Sequence, residues 1–321
     1  MAPELVTPAD LERSLSWAQA QAPSPTAGLF GPGSARWRVD REAILFLAAG
    51  RALLMQLAHP WVAQGVIDHS SSLDDPLGRF HRTFSAMFSF VFGTVEQALD
   101  AARRLHRRHE RVAGVLGETA GPFPAGSPYY ANHLPALRWV LTTLTDGALV
   151  AHETVLGPID PALRQAYVAD SRILGAMFGI APDSLPQDWT GFEAERDRTM
   201  CSGELAVTAP ARRIAERLVL HPPLPLVAGS FRAVTARLMP ERLRVAYGLP
   251  YGTPERRTAE RTIALLRRIY PKLPPALRNV GPYHEATGRL RGRSSPAPFT
   301  RALNRIWIGA PTLPGPKAPG R

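Results

Sequence analysis

Cysteine is almost missing from this chain: Cys201 is the single one among 321 residues. No disulfide can form within the chain and no cysteine metal cluster can be built. A lone thiol suits a reducing compartment, so a cytoplasmic protein is expected. Lysine is nearly missing too, with only Lys272 and Lys317 against thirty-six arginines. The net charge of +11 invites a nucleic-acid partner. The arginines, however, are scattered along helix faces, with no aromatic interleaving and no basic tail, so no nucleic-acid partner is expected. A leader is not recognisable either, because the first residues, MAPELVTPADLERS, are acidic and polar. Long apolar runs are lacking: the longest, AILFLAAGRALLMQLA at 43–58, is broken by Arg51. It is too short and too charged to span a bilayer and reads as a buried helix, so no transmembrane segment is expected. Internal repeats are absent, and no segment shows a convincing period of two with β-branched enrichment.

What the chain does have is helix punctuation. Asp75 before Pro76 forms an N-cap with proline at the first helical position, and the helix should run to Phe92 and stop at Gly93. Thr94 and Gln97 make a capping box for the next helix. Asn132 precedes a long helix ending near Gly157, and Asp160–Pro161 opens another that ends near Gly179. Thr190 with Glu193, Thr208 with Pro210 and Thr253 with Pro254 repeat the pattern. The expected class is all-α, one compact domain of about ten helices. Residues 1–38 form an N-terminal arm with a short helix around PADLERSLSWAQ, 39–292 the helical body, and 293–321 a Pro/Gly-rich tail, largely disordered beyond Ile308.

One stretch, RLHRRHERVAG at 104–114, sets a histidine where a leucine belongs. In a helix from Val95 to about Leu116, positions Ala98, Ala101, Ala102, Leu105, His109, Val112 and Leu116 share one face, and arginines cover the other. The common meaning of such a histidine is a core side chain bonded to a carbonyl. The other is a metal or haem ligand, since a neutral imidazole with a free nitrogen binds iron and an apolar helix face suits a porphyrin. His106 and His109 could also begin a zinc site, although no third or fourth ligand lies nearby.

The preceding helix carries Phe80, Phe84, Met87, Phe88 and Val91 on one face, with Arg79 and Thr83 one turn apart on the adjoining edge. An arginine beside a hydroxyl can clamp a carboxylate such as a haem propionate. Its plain alternative is a surface arginine and a threonine bonded back to its own helix.

Four runs in order, GRALLMQLAHPWVAQGVIDHS, DPLGRFHRTFSAMFSFVFG, RLHRRHERVAG and LRWVLTTLTDGAL, resemble the MpaB-type oxygenases, which include the rubber oxygenases, or latex clearing proteins. The resemblance covers roughly residues 35–280. It implies a globin-related helical core, haem b with its iron, and oxidation with dioxygen. The family's axial histidine falls on His109 and its Arg-x-x-x-Thr motif on Arg79 and Thr83. Phe80 and Phe84, with Phe88, then wall a pocket for a hydrophobic small molecule: an isoprenoid, a lipid or a polyketide. His59 matches a histidine–proline pair frequent in the bacterial branch, at a helix junction or in a pocket. Many relatives carry histidine where this chain has Leu141, and no lysine near Arg82 is available as a distal ligand. Rubber itself is a poor substrate for a cytoplasmic protein. With no Cys-x-x-Cys-His motif, haem would be held without covalent attachment. Two rival functions remain, a haem carrier or sensor without turnover and a helical binding protein without haem.

Overall fold

The computed structural model describes residues 4–69, 75–220 and 227–316. Its helices begin largely where the capping chemistry demands. Thr7 and Asp10 close a capping box on α1 (Pro8–Ala20). Asp75 accepts from the Gly78 amide at the start of α5 (Pro76–Phe92), and Gly93 ends it. Thr94 and Gln97 box α6 (Val95–His109). Asp160 caps α8 (Pro161–Ala176) and Thr208 caps α10 (Ala209–Ala215). Two caps differ from expectation. Asp188, not Thr190, caps α9 (Trp189–Cys201), because its carboxylate reaches the Gly191 amide. Thr253 already lies inside α13 (Thr253–Ile269), and Glu255 accepts from the Gly252 amide instead.

Sixteen α-helices form among the described residues, more and shorter than the ten expected. The apolar run 43–58 shows why. It divides into a 3-10 stretch (Ala43–Ala48) and α3 (Ala49–Leu57), and α4 (Pro60–His69) then departs at a bend of 101°. No single described helix is long and apolar enough to cross a membrane, although this bent pair passes on length and composition. The all-α class holds apart from one hairpin, in which β1 (Ala113–Val115) pairs antiparallel with β2 (Pro128–Tyr130). The helix expected to reach Leu116 therefore stops at His109, and Val112 and Leu116 do not continue its stripe.

The body is organised on α7 (Leu134–Leu156), thirteen of whose twenty-three residues are buried. A helix apolar on all sides must be wrapped on all sides, and α7 contacts α3, α8, α9, α13 and α2 (Ala35–Asp40). Leu137 and Leu141 join a large cluster with Leu11 and Leu15 of α1, Trp37 of α2, Phe88 and Phe92 of α5, and Ala98 and Ala102 of α6. Trp139 joins a second cluster with Leu54, Ile214 and Met239. Buried aromatic polar atoms are tied to helix carbonyls: Trp37 Nε1 donates to Val91 O at 2.8 Å, Trp139 Nε1 to Met55 O at 2.7 Å, and Tyr247 Oη to Leu54 O at 2.7 Å. Each bond satisfies a group that burial would otherwise leave costly.

Two buried ionic groups pin helices that the periodicity only lists. Arg36, 2 % exposed, donates to Tyr167 Oη at 2.6 Å and pairs with Asp40, joining α2 to α8. Arg51, which breaks the longest apolar run, is itself buried and pairs with Asp146 of α7, and Arg196 of α9 meets the same carboxylate at 3.1 Å. The chain ends also seat on the body. Val6 N donates to Asn132 O at 2.9 Å, so the N-terminal segment lies against the start of α7. Residues 309–316 are not loose: Leu313 is buried and its N–H donates to Glu285. The end of the tail, 317–321, lies outside the described residues.

Candidate functional site

Helix α6 delivers His109 as its last residue, and the chain then reverses. Val112 N donates to His109 O at 2.9 Å, β1 follows, and β2 returns so that Ala131 N donates to Val112 O at 3.0 Å. This return brings the Asn132 side chain beside the His109 ring, where it favours the protonated ring. Burial first, then the charges of His106 and Arg108, push the His109 pKa down to about 4, against a smaller opposing effect of Asn132. The imidazole is therefore neutral at ordinary pH.

His106 points elsewhere. It is 5 % exposed, its Nε2 stands 3.7 Å from Glu110, and it feels Asp10 and Glu12 of α1. The buried residues of α6 are Val95, Ala98, Leu99, Ala101, Ala102 and His106: the three alanines of the expected stripe are buried, but at the C-terminal end the buried position is His106, and His109 is half-buried. The small alanines likewise pack in the core cluster with Phe88 and Phe92.

Helices α5 and α6 form an α-hairpin through Gly93. Arg79 is half-buried, and burial followed by the Arg82 charge lowers its pKa below the ordinary arginine value. Thr83 is exposed one turn on. Phe80 and Phe84 are half-buried and pack against each other at 4.6 Å in an aromatic cluster. Phe46 lies 5.5 Å from Phe80 and 4.6 Å from Phe84, and Trp307 of α16 (Pro298–Ile308) closes on Phe46 at 4.4 Å. Neither Phe46 nor Trp307 was singled out in the sequence, since both come from elements distant along the chain. Leu141 lies in the core between α7 and α8 against Gly175.

A second imidazole cluster stands at the α3–α4 junction. His59, 1 % exposed, accepts from Trp61 N at 3.3 Å and so caps α4, which gives the histidine–proline pair its junction role. His133 packs 4.0 Å from Trp61 and 6.4 Å from His59. Burial lowers His59 to about 3 and His133 to about 4. These rings, with His109, bind protons more weakly folded than unfolded, where histidine titrates near 6.5. Their contribution is full above about pH 6.5 and is lost as pH falls toward 4. Thermal midpoints measured from pH 7 to 4 should fall with acid, and His59→Gln should flatten the fall. A midpoint independent of pH in this window would contradict buried neutral rings.

No group of three or more His, Cys, Asp or Glu side chains that could hold a metal ion occurs among the described residues. The zinc alternative for His106 and His109 therefore gains no partner. An open cleft of about 990 Å³ lies among Thr154, Arg237, Tyr251, Glu260 and Arg267, sharing no residue with α5 or α6.

Comparison with known proteins returns to the α5–α6 region. An uncharacterized protein of Mycobacterium tuberculosis and one of Mycobacterium bovis are each 28% identical over 227 residues, covering 67% of this chain and 84% of the relative. No solved structure matches the chain. The family model described as ER-bound oxygenase mpaB/B'/rubber oxygenase, catalytic domain, matches residues 36–269, which include Arg79, Thr83, His59 and His109. Over that span, most of its length, the chain belongs to the family of mpaB and rubber oxygenase catalytic domains.

Proposed function

We propose that this protein is a haem b-dependent oxygenase that uses dioxygen on a hydrophobic small molecule, an isoprenoid, a lipid or a polyketide. The observation that carries the reading is His109, a half-buried imidazole at the end of α6 with Asn132 beside it, which burial keeps neutral at ordinary pH. Iron needs the neutral ring. The donor set therefore fits haem with a single protein ligand. When bound, haem supplies the redox chemistry with dioxygen.

This chain's residues do the rest. His109 would hold the haem iron. Arg79, a half-buried cation on α5, would hold an anionic group such as a propionate. Phe80 and Phe84, with Phe46 and Trp307 against them, keep water from an apolar substrate. Thr83 offers a hydroxyl at the edge of the same helix. The deciding experiment is hemin titration of the purified protein, followed by turnover with dioxygen and a panel of isoprenoids and lipids. A Soret band without turnover would favour a carrier, and no band at all would remove haem from the reading.

Arg79 and Thr83 separate in their expected effects. A charge-assisted bond contributes about 1.5–3 kcal/mol, so Arg79→Ala should weaken haem retention by roughly ten- to a hundredfold. Arg79→Lys should rescue only part, since an ammonium lacks the planar fork. Thr83→Val keeps the shape and should spare haem content while lowering turnover. If haem content, thermal midpoint and turnover all stay unchanged in Arg79→Ala and Thr83→Val, both residues are ordinary surface positions.

A further inference from the structure

The last described helix lies outside the family match, yet it packs on α5. Its sequence, PFTRALNRIWI, buries Thr300, Asn304 and Ile308. On another side Phe299 is 48 % exposed and Ile306 61 % exposed. At 100° per residue Phe299, Ala302 and Ile306 fall within about 60° of one another, a continuous apolar sector. Arg301 and Arg305 are exposed beside it. Half-buried Leu303 and Trp307 continue the sector inward to Phe46. Leu77 of α5, 64 % exposed, is one turn before His81, whose Nε2 lies 3.1 Å from the Ile306 carbonyl oxygen. A single exposed leucine needs no account, but large apolar side chains grouped on two touching helices do.

Charge indicates what covers this face. After Glu285 the remaining thirty-six residues contain seven basic side chains and no acidic one. The basic residues are spaced apart and form no basic run. A second copy docking the same face would set Arg301 and Arg305 near their own like. An anionic surface with an apolar interior satisfies both halves: headgroups meet the arginines while Phe299 and Ile306 enter the acyl boundary.

We infer that α16, with Leu77, is a docking surface for an anionic lipid membrane. This goes beyond the oxygenase reading and does not depend on haem. If that reading also holds, the docked face opens next to the aromatic cluster of α5.

The test is vesicle flotation of the full chain, using phosphatidylcholine alone or with about one-third phosphatidylglycerol, at about 0.1 M salt. The chain should float with the anionic vesicles only, and raising the salt to about 1 M should release much of it. Phe299→Ser/Ile306→Ser and Arg301→Gln/Arg305→Gln should each weaken partitioning by about tenfold with an unchanged thermal midpoint. Val115→Ser is the control. It removes a side chain 60 % exposed on the β1 hairpin, outside α16, and should leave binding unchanged. The inference is overturned if no vesicle binds, if the α16 variants bind as the parent does, or if they instead dissolve a dimer or abolish retention on nucleic acid.

Discussion

His109→Ala should purify without haem and take up no hemin, while His106→Ala should retain haem within about twofold of the parent. The two side chains are three residues apart but meet different surroundings. His106 faces α1 and its acids, and its Nε2 sits 3.7 Å from Glu110. Alanine there loses core packing, so the thermal midpoint falls while the iron ligand stays. His109 has the lower pKa, about 4, and Asn132 beside it. Alanine there removes the one donor nitrogen that the reading assigns to iron. Asn132→Leu offers an intermediate case: haem binds, but the ring loses its polar neighbour, and the iron–histidine vibration should move. Acid provides a further check on the parent protein. Protons compete with iron for the His109 nitrogen, so haem loss on acidification should begin below neutrality, and on His106→Ala, which lacks one of the charges that hold the His109 pKa down, it should begin at a higher pH. If His106→Ala strips the haem and His109→Ala leaves it, the ligand assignment is wrong.

The contrast between these histidines shows what the sequence could carry. Caps are local chemistry, so Asp75, Thr94, Asp160 and Thr208 were legible as helix starts, and α5 ends at Gly93 as its residues require. The end of α6 was not. Val112 and Leu116 keep helical spacing after His109, yet Gly114 must lie flat against the Tyr129 ring, where any side chain would collide, and the segment pairs as a strand. That strand partner is more than a dozen residues away, beyond any window of periodicity. The same limit hid Asn132, which reaches His109 only through the hairpin return, and Phe46 and Trp307, which complete the aromatic cluster from opposite ends of the chain. Arg51 was visible only as an interruption of an apolar run. Its meaning needs Asp146, nearly a hundred residues on.

Asp146→Ala should be the most destabilising single substitution among the charged residues of the body. Asp146 is 3 % exposed and receives Arg51 of α3 and Arg196 of α9, so one carboxylate ties three helices at the central α7. Taking it away does not simply lose a bond. It leaves the Arg51 guanidinium, 5 % exposed, buried with its Nε on the Leu238 carbonyl at 2.9 Å and its carboxylate partner gone. An uncompensated buried charge costs about 3–5 kcal/mol, a large share of the roughly 5–15 kcal/mol that holds a domain together. The thermal midpoint should drop by on the order of 10 °C. Arg196→Met should cost far less, because Arg196 is 22 % exposed, also meets Asp197 at 2.9 Å, and leaves the Arg51–Asp146 pair intact. The informative variant is the double change Arg51→Met/Asp146→Leu, in which no charge is stranded and apolar volume fills the site. It should recover most of the loss, since well-packed apolar replacements of buried pairs are often neutral or stabilising. Urea midpoints of Arg51→Met, Asp146→Leu and the double variant close the cycle. Additive losses in the double variant would mean that the three helices are held by packing alone and that the ionic tie is incidental.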